Sequence, residues 1–62
     1  MEGIDLTERE KEICGLLKDG LTNSQIASVL FISEGTVKNY MSSIYDKFDI
    51  HDRAKLVSHL KG

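Results

Sequence analysis

Lys38, Asn39 and Ser42 stand close together in TNSQIASVLFISEGTVKNYMSSIYDKF, the stretch from 22 to 48. Their types suit base edges. A lysine donates to guanine O6 or N7, or to phosphate; an asparagine pairs with adenine through two hydrogen bonds; a serine serves either kind of base. Gly35 precedes them and lets backbone approach a phosphate closely, and Asp46 follows on the same helical face. A second group is suited to phosphate. Thr22, Asn23 and Ser24 open one helix, and Ser33 and Thr36 flank the start of the next. Hydroxyls and free amides at helix starts bind phosphate oxygens. Together these residues describe a double-stranded DNA reader.

The remaining reactive side chains form no catalytic or metal set. Cys14, His51 and His59 lack the paired spacings that structural zinc needs. Cys14 is the only cysteine, so it cannot pair within the chain, and it reads as a small buried hydrophobe on a helical face. Glu8, Glu10 and Glu12 read as a cap and a solvated face rather than an acid/base pair. The expectation is a protein with no enzymatic activity, no metal and no cofactor.

The elements that position these residues announce themselves by their caps. Thr7-Glu8-Arg9-Glu10 is a capping box, in which the threonine side chain accepts from the Glu10 amide and Glu10 reaches back. The helix it opens buries Ile13, Leu16 and Leu17 and stops at Gly20. Thr22-Asn23-Ser24-Gln25 is a second capping box, with Leu21 and Ile26 placed as a hydrophobic staple. This second helix is short, and Ala27 is small because the next helix crosses closely there. Phe31-Ile32 makes the turn, Ser33 caps the third helix, and Val37, Met41, Ile44 and Phe48 form its apolar stripe. Asp49 takes the turn conformation, Ile50 enters the core, and Asp52 caps a fourth helix with Arg53, Leu56, Val57 and Leu60 inward. The fold class is all-α: one domain over 1–62, with helices at about 7–18, 23–30, 34–48 and 52–61 around a central helix-turn-helix. Residues 1–5 read as a frayed leader.

Sixty-two residues allow one small core. No apolar run is long enough to span a bilayer and no targeting segment is visible, so a cytoplasmic location is expected. The net charge of −2 opposes DNA binding, because phosphate neutralisation dominates affinity. Its distribution softens that objection: residues 1–20 carry −3, residues 21–50 carry −1 and residues 51–62 carry +2. The acidity sits mainly on the first helix.

LTEREKEI at 6–13, GLTNSQIASVLFISEGTVKNY at 20–40 and HDRAKLV at 51–57 resemble the LuxR/NarL-type (GerE-like) DNA-binding domain over nearly the whole chain. The resemblance implies a bacterial transcriptional regulator, most closely a response regulator of a two-component system, that binds DNA as a homodimer. It implies a third helix in the major groove with Lys38, Asn39 and Ser42 on bases, and phosphate contacts that include Asn23, Ser33, Thr36 and Lys47. It implies an N-terminal receiver or sensing domain in a longer chain, with RNA polymerase as a further partner. Four positions depart from the family pattern. Val29 replaces a charged residue and is expected to be exposed. Tyr40 replaces a histidine, and its hydroxyl is a further phosphate donor. Ser58 and His59 replace larger apolar residues, so a dimer face made of Ala54, Ser58 and Lys61 is small and polar. The resemblance also implies that Glu10 and Arg53 pair. Two other readings fit the same pattern: a sigma-factor region-4-like promoter-binding domain, and a helix-turn-helix that docks on a protein through Val29, Phe31 and Tyr45.

Overall fold

Each helix starts on a side chain that replaces a missing backbone partner. The computed structural model describes residues 4–62, and Met1, Glu2 and Gly3 of the expected leader lie outside the described residues. Along the chain run α1 (Glu8–Lys18), α2 (Asn23–Leu30), α3 (Glu34–Phe48) and α4 (Arg53–Lys61). Thr7 and Thr22 form complete capping boxes with Glu10 and Gln25. Ser33 Oγ accepts from the Thr36 amide at 3.1 Å, and Asp52 Oδ1 from the Lys55 amide at 3.0 Å. Thr7 and Asp52 are the caps expected of them, and α1 and α4 each begin one residue after the expected bounds of 7 and 52.

The first three helices end alike. After α1 the Leu21 amide reaches back to the Leu16 carbonyl, after α2 Ile32 reaches Ala27, and after α3 Ile50 reaches Tyr45, at 3.2, 3.0 and 3.2 Å. Each closure needs a left-handed residue just before it. Gly20 (φ 88°) fills that place after α1, but Phe31 (φ 58°) and Asp49 (φ 54°) fill it after α2 and α3. Leu21, Ile32 and Ile50, the residues that follow, all pack against the core and hold the turns in place.

The core is Ile13, Cys14 and Leu17 from α1, Ile26 and Ala27 from α2, Val37, Met41 and Ile44 from α3, and Leu56 from α4. Helix α2 packs on α3, while α1 packs on α3 and α4. Ala27 is buried at 6% exposure, as the close crossing of α2 and α3 requires. Phe48 at the end of α3 meets the exposed His59 of α4 edge to face, with ring centroids 5.5 Å apart. Burial raises the Cys14 thiol above its ordinary pKa, and the Glu10 charge adds to that shift.

Two expectations are corrected. Glu10 does not pair with Arg53, nor is it solvated: it is 3% exposed, and its Oε1 accepts from Lys47 Nζ at 2.6 Å while its Oε2 accepts from Ser43 Oγ at 2.7 Å. Arg53 turns instead to α2, donating to Asn23 Oδ1 at 2.8 Å and to the Leu21 carbonyl at 2.7 Å. The capping box explains the first outcome, because it fixes Glu10 at the start of α1 beside the last turn of α3. The leader is also less free than expected at Asp5, whose carbonyl accepts from Lys47 Nζ at 2.9 Å.

Candidate nucleic-acid interface

One side of α3 is buried through Val37, Met41 and Ile44, and the opposite side is open. Gly35, Lys38, Asn39, Ser42 and Asp46 are all exposed on it. The helix is 15 residues long, so this face extends over four turns. At Gly35 a Cβ would meet only Ser33 Oγ at 3.8 Å, an ordinary contact. The fold therefore places no demand for glycine there.

The starts of α2 and α3 carry the phosphate candidates. Thr22, Ser24 and Ser33 are exposed, and Asn23, Thr36 and Tyr40 are half-buried. Thr22 and Ser33 spend their side chains on capping, and Ser33 Oγ lies 2.9 Å from Thr36 Oγ1. Asn23 is the least free of the set, held through its carbonyl oxygen by Arg53. Tyr40 lines a cleft of about 330 Å³ with Thr7, Glu10, Thr36, Asn39 and Ser43. Lys47 lies elsewhere. Its ammonium faces the start of α1, where Glu10 and Asp5 take two of its three donors.

That environment sets the charge of Glu10. The Lys47 ammonium, followed by the Thr7 amide and the Ser43 hydroxyl, lowers its pKa from 4.5 to about 2, against burial, which pushes it up. Glu10 is a permanent anion at neutral pH that locks the α1 start to the last turn of α3, and so fixes the direction in which α3 projects.

The three residues expected at a dimer face come together. Ala54, Ser58 and Lys61 line a cleft of about 640 Å³ along α4, with Arg53 and Val57. Of the alternative apolar patch, Phe31 (94% exposed) and Val29 (51%) are open, while Tyr45 is half-buried against the core. No helix among the described residues is long and apolar enough to cross a membrane.

Sequence reasoning missed the Arg53–Asn23 link and the burial of Glu10. Both join residues at least 30 positions apart, and local spacing carries no signal for them.

A short helix, a tight left-handed turn and a longer helix with a polar outer face, braced by two flanking helices, define a DNA-binding domain of the helix-turn-helix class. Comparison with known proteins narrows the class. Residues 5–60 match the family model described as "Bacterial regulatory proteins, luxR family". Over 54 residues, 87% of the chain is 50% identical to the transcriptional regulatory protein LnrK of Bacillus subtilis, covering 24% of that protein. It is 46% identical over 50 residues to the DNA-binding transcriptional activator DevR/DosR of Mycobacterium tuberculosis, covering 81% of this chain and 23% of that protein. Among solved structures, the DNA-binding domain of the response regulator ComA, crystallised with the anti-activator RapF, superposes with a TM-score of 0.87 at 31% identity. That match covers 94% of this chain and all of the ComA chain. The chain belongs to the luxR family of bacterial regulatory proteins and is a transcriptional-regulator DNA-binding domain. It spans about a quarter of the length of these two curated relatives.

Proposed function

We propose that the chain reads double-stranded DNA sequence-specifically through α3 in the major groove, as a dimer on two half-sites about one helical turn apart. The observation that carries the reading is the exposed row of Lys38, Asn39 and Ser42 on α3, opposite its buried stripe. In it Lys38 serves guanine or phosphate, Asn39 serves adenine, and Ser42 serves the base beside them. Thr22, Asn23, Ser24, Ser33, Thr36 and Tyr40 hold the phosphates on either side. Lys47 is left out of this set, because two of its donors already serve the scaffold.

The cleft of Ala54, Ser58 and Lys61 supports self-association through α4. The net charge of −2 makes a single copy a weak binder, so useful affinity comes from two copies joined on one duplex. In the cell the domain works in the bacterial cytoplasm, within a longer regulator whose receiver or sensing domain controls that pairing, and with RNA polymerase as a further partner. A second reading, docking on a protein, is favoured by the exposure of Phe31 and Val29.

Selection of bound duplexes from a random pool at low salt, followed by sequencing, tests the DNA reading. The expected result is an enriched motif of two spaced, inverted half-sites. Binding of that duplex should fall steeply with salt and by at least about 100-fold on Lys38→Ala with Asn39→Ala, since each base contact contributes about 1–3 kcal/mol. A pool that stays random, or full affinity in the double variant, refutes it. The protein-docking reading instead requires a salt-tolerant partner that is lost on Val29→Ser or Phe31→Ser.

A further inference from the structure

Arg53 opens α4, yet its guanidinium is committed to α2. Nη1 donates to Asn23 Oδ1 at 2.8 Å and Nη2 to the Leu21 carbonyl at 2.7 Å, a fork that grips the first residue of α2 and the loop just before it. A guanidinium has only donors. The Asn23 atom that faces it is therefore the carbonyl oxygen, and the amide nitrogen must turn away. Among the described residues nothing accepts from that nitrogen, and the backbone amides of Asn23 and Ser24 have no acceptor either. The neighbouring Thr22 and Gln25 amides are used up by the capping box.

We propose that Arg53 is a positioning residue for DNA: it orients the Asn23 carboxamide so that its N–H groups join the free amides at the start of α2 as one preset donor group for a phosphate. This rests on the DNA reading above and deepens it. Arg53 is half-buried and acts through Asn23 rather than by touching the duplex. A free asparagine at a helix start samples several rotamers and would lose that freedom on binding. Holding it in advance lowers the ordering cost of the contact. The same arginine lines the α4 cleft, so the phosphate-binding end of α2 is braced by the helix on which self-association is proposed.

A merely structural fork would predict something different, and Asn23→Asp separates the two. Aspartate keeps an acceptor for Arg53 and makes the bond charge-assisted, so the fold is kept or strengthened. It supplies no N–H and sets a negative charge against the phosphate. The experiment measures fluorescence anisotropy of a duplex from the enriched pool across a salt series, with thermal unfolding alongside. The proteins are the wild-type chain, Asn23→Asp, Asn23→Ala, Arg53→Ala and the Asn23→Ala/Arg53→Ala double variant.

The proposal expects Asn23→Asp to melt at or above the wild-type temperature and bind about tenfold or more weakly, tenfold being 1.4 kcal/mol. Its slope of log affinity against log salt should be shallower by about one. Arg53→Ala should weaken binding in the wild-type background and have no further effect once Asn23 is alanine. If Arg53→Ala melts below the assay temperature, Arg53→Lys, which keeps the charge but not the fork, replaces it. Wild-type affinity in Asn23→Asp overturns the proposal, as do independent, multiplying losses in the double variant. Those outcomes leave the DNA reading standing wherever Lys38→Ala with Asn39→Ala still abolishes binding. Absence of any enriched duplex overturns both.

Discussion

Glu10 is a carboxylate taken out of water and kept charged, which is stabilising only while every bond to it is made. Lys47, Ser43 and the Thr7 amide supply those bonds. The sign of its pH effect follows from its lowered pKa. Between about 2 and 4.5 the unfolded chain binds a proton that the folded chain refuses. The contribution is therefore complete above the unfolded value and is lost as pH falls towards the folded one. Glu10→Gln should cost on the order of 1–3 kcal/mol near neutral pH. The gap between variant and wild type should close as pH falls through that window, as urea unfolding at several pH values would report. A gap that persists unchanged to pH 2 would show that shape rather than charge matters at this site. The same titrations settle the pairing. A double-mutant cycle should couple Glu10 to Lys47 and leave Glu10 and Arg53 additive. From the sequence, the capping role of Glu10 was readable because its partner is three residues away. Its burial was not, because Ser43 and Lys47 are brought to it by packing between α1 and α3.

At the scale of the elements, helix starts were legible and helix ends only partly so. A cap is a side chain in a fixed place, so Thr7, Thr22, Ser33 and Asp52 could be read directly. An ending depends on backbone conformation, which glycine advertises at Gly20 and phenylalanine conceals at Phe31. The turn between α2 and α3 was expected at Phe31 and Ile32, but nothing marked Phe31 as left-handed. Ile32, anchored in the core behind it, imposes that geometry. A left-handed conformation costs an L-residue about 1–2 kcal/mol. The ring returns little, since Phe31 is 94% exposed. Phe31→Gly should therefore stabilise the chain by about 1 kcal/mol, raising the melting temperature by roughly 4–8 °C. A lower melting temperature, read by circular dichroism, would mean that the ring packs more than its exposure implies.

For the molecule as a whole, the outer face of α3 was readable because the apolar stripe and the polar remainder of one helix separate cleanly by period. The α4 cleft was readable only through family resemblance: the four-and-three spacing of Ala54, Ser58 and Lys61 sets them on one face of α4, but nothing in their types marks that face as a contact. The charge distribution also takes its meaning from the assembled fold. The expected acidic first helix is not one: within α1 Glu8, Glu10 and Glu12 are balanced by Arg9, Lys11 and Lys18, and the −3 of residues 1–20 comes from Glu2, Asp5 and Asp19 outside it. On the proposed reading, the Lys47–Glu10 bond commits one cation of α3 to the scaffold while Lys38, on the outer face of the same helix, stays exposed.

Cys14 turns this small core into its own gauge. The thiol is 6% exposed, burial raises its pKa, and the chain holds no second cysteine. Alkylation needs a thiolate that reagent can reach, so the folded chain should react only through rare openings. The labelling rate, divided by that of the urea-unfolded chain, then reads the opening equilibrium under native conditions, and a single added mass reports each event. An enriched duplex should slow labelling in step with its occupancy, because only the closed form binds it. One buried sulfur thus makes operator affinity measurable by mass spectrometry, without a dye on either partner.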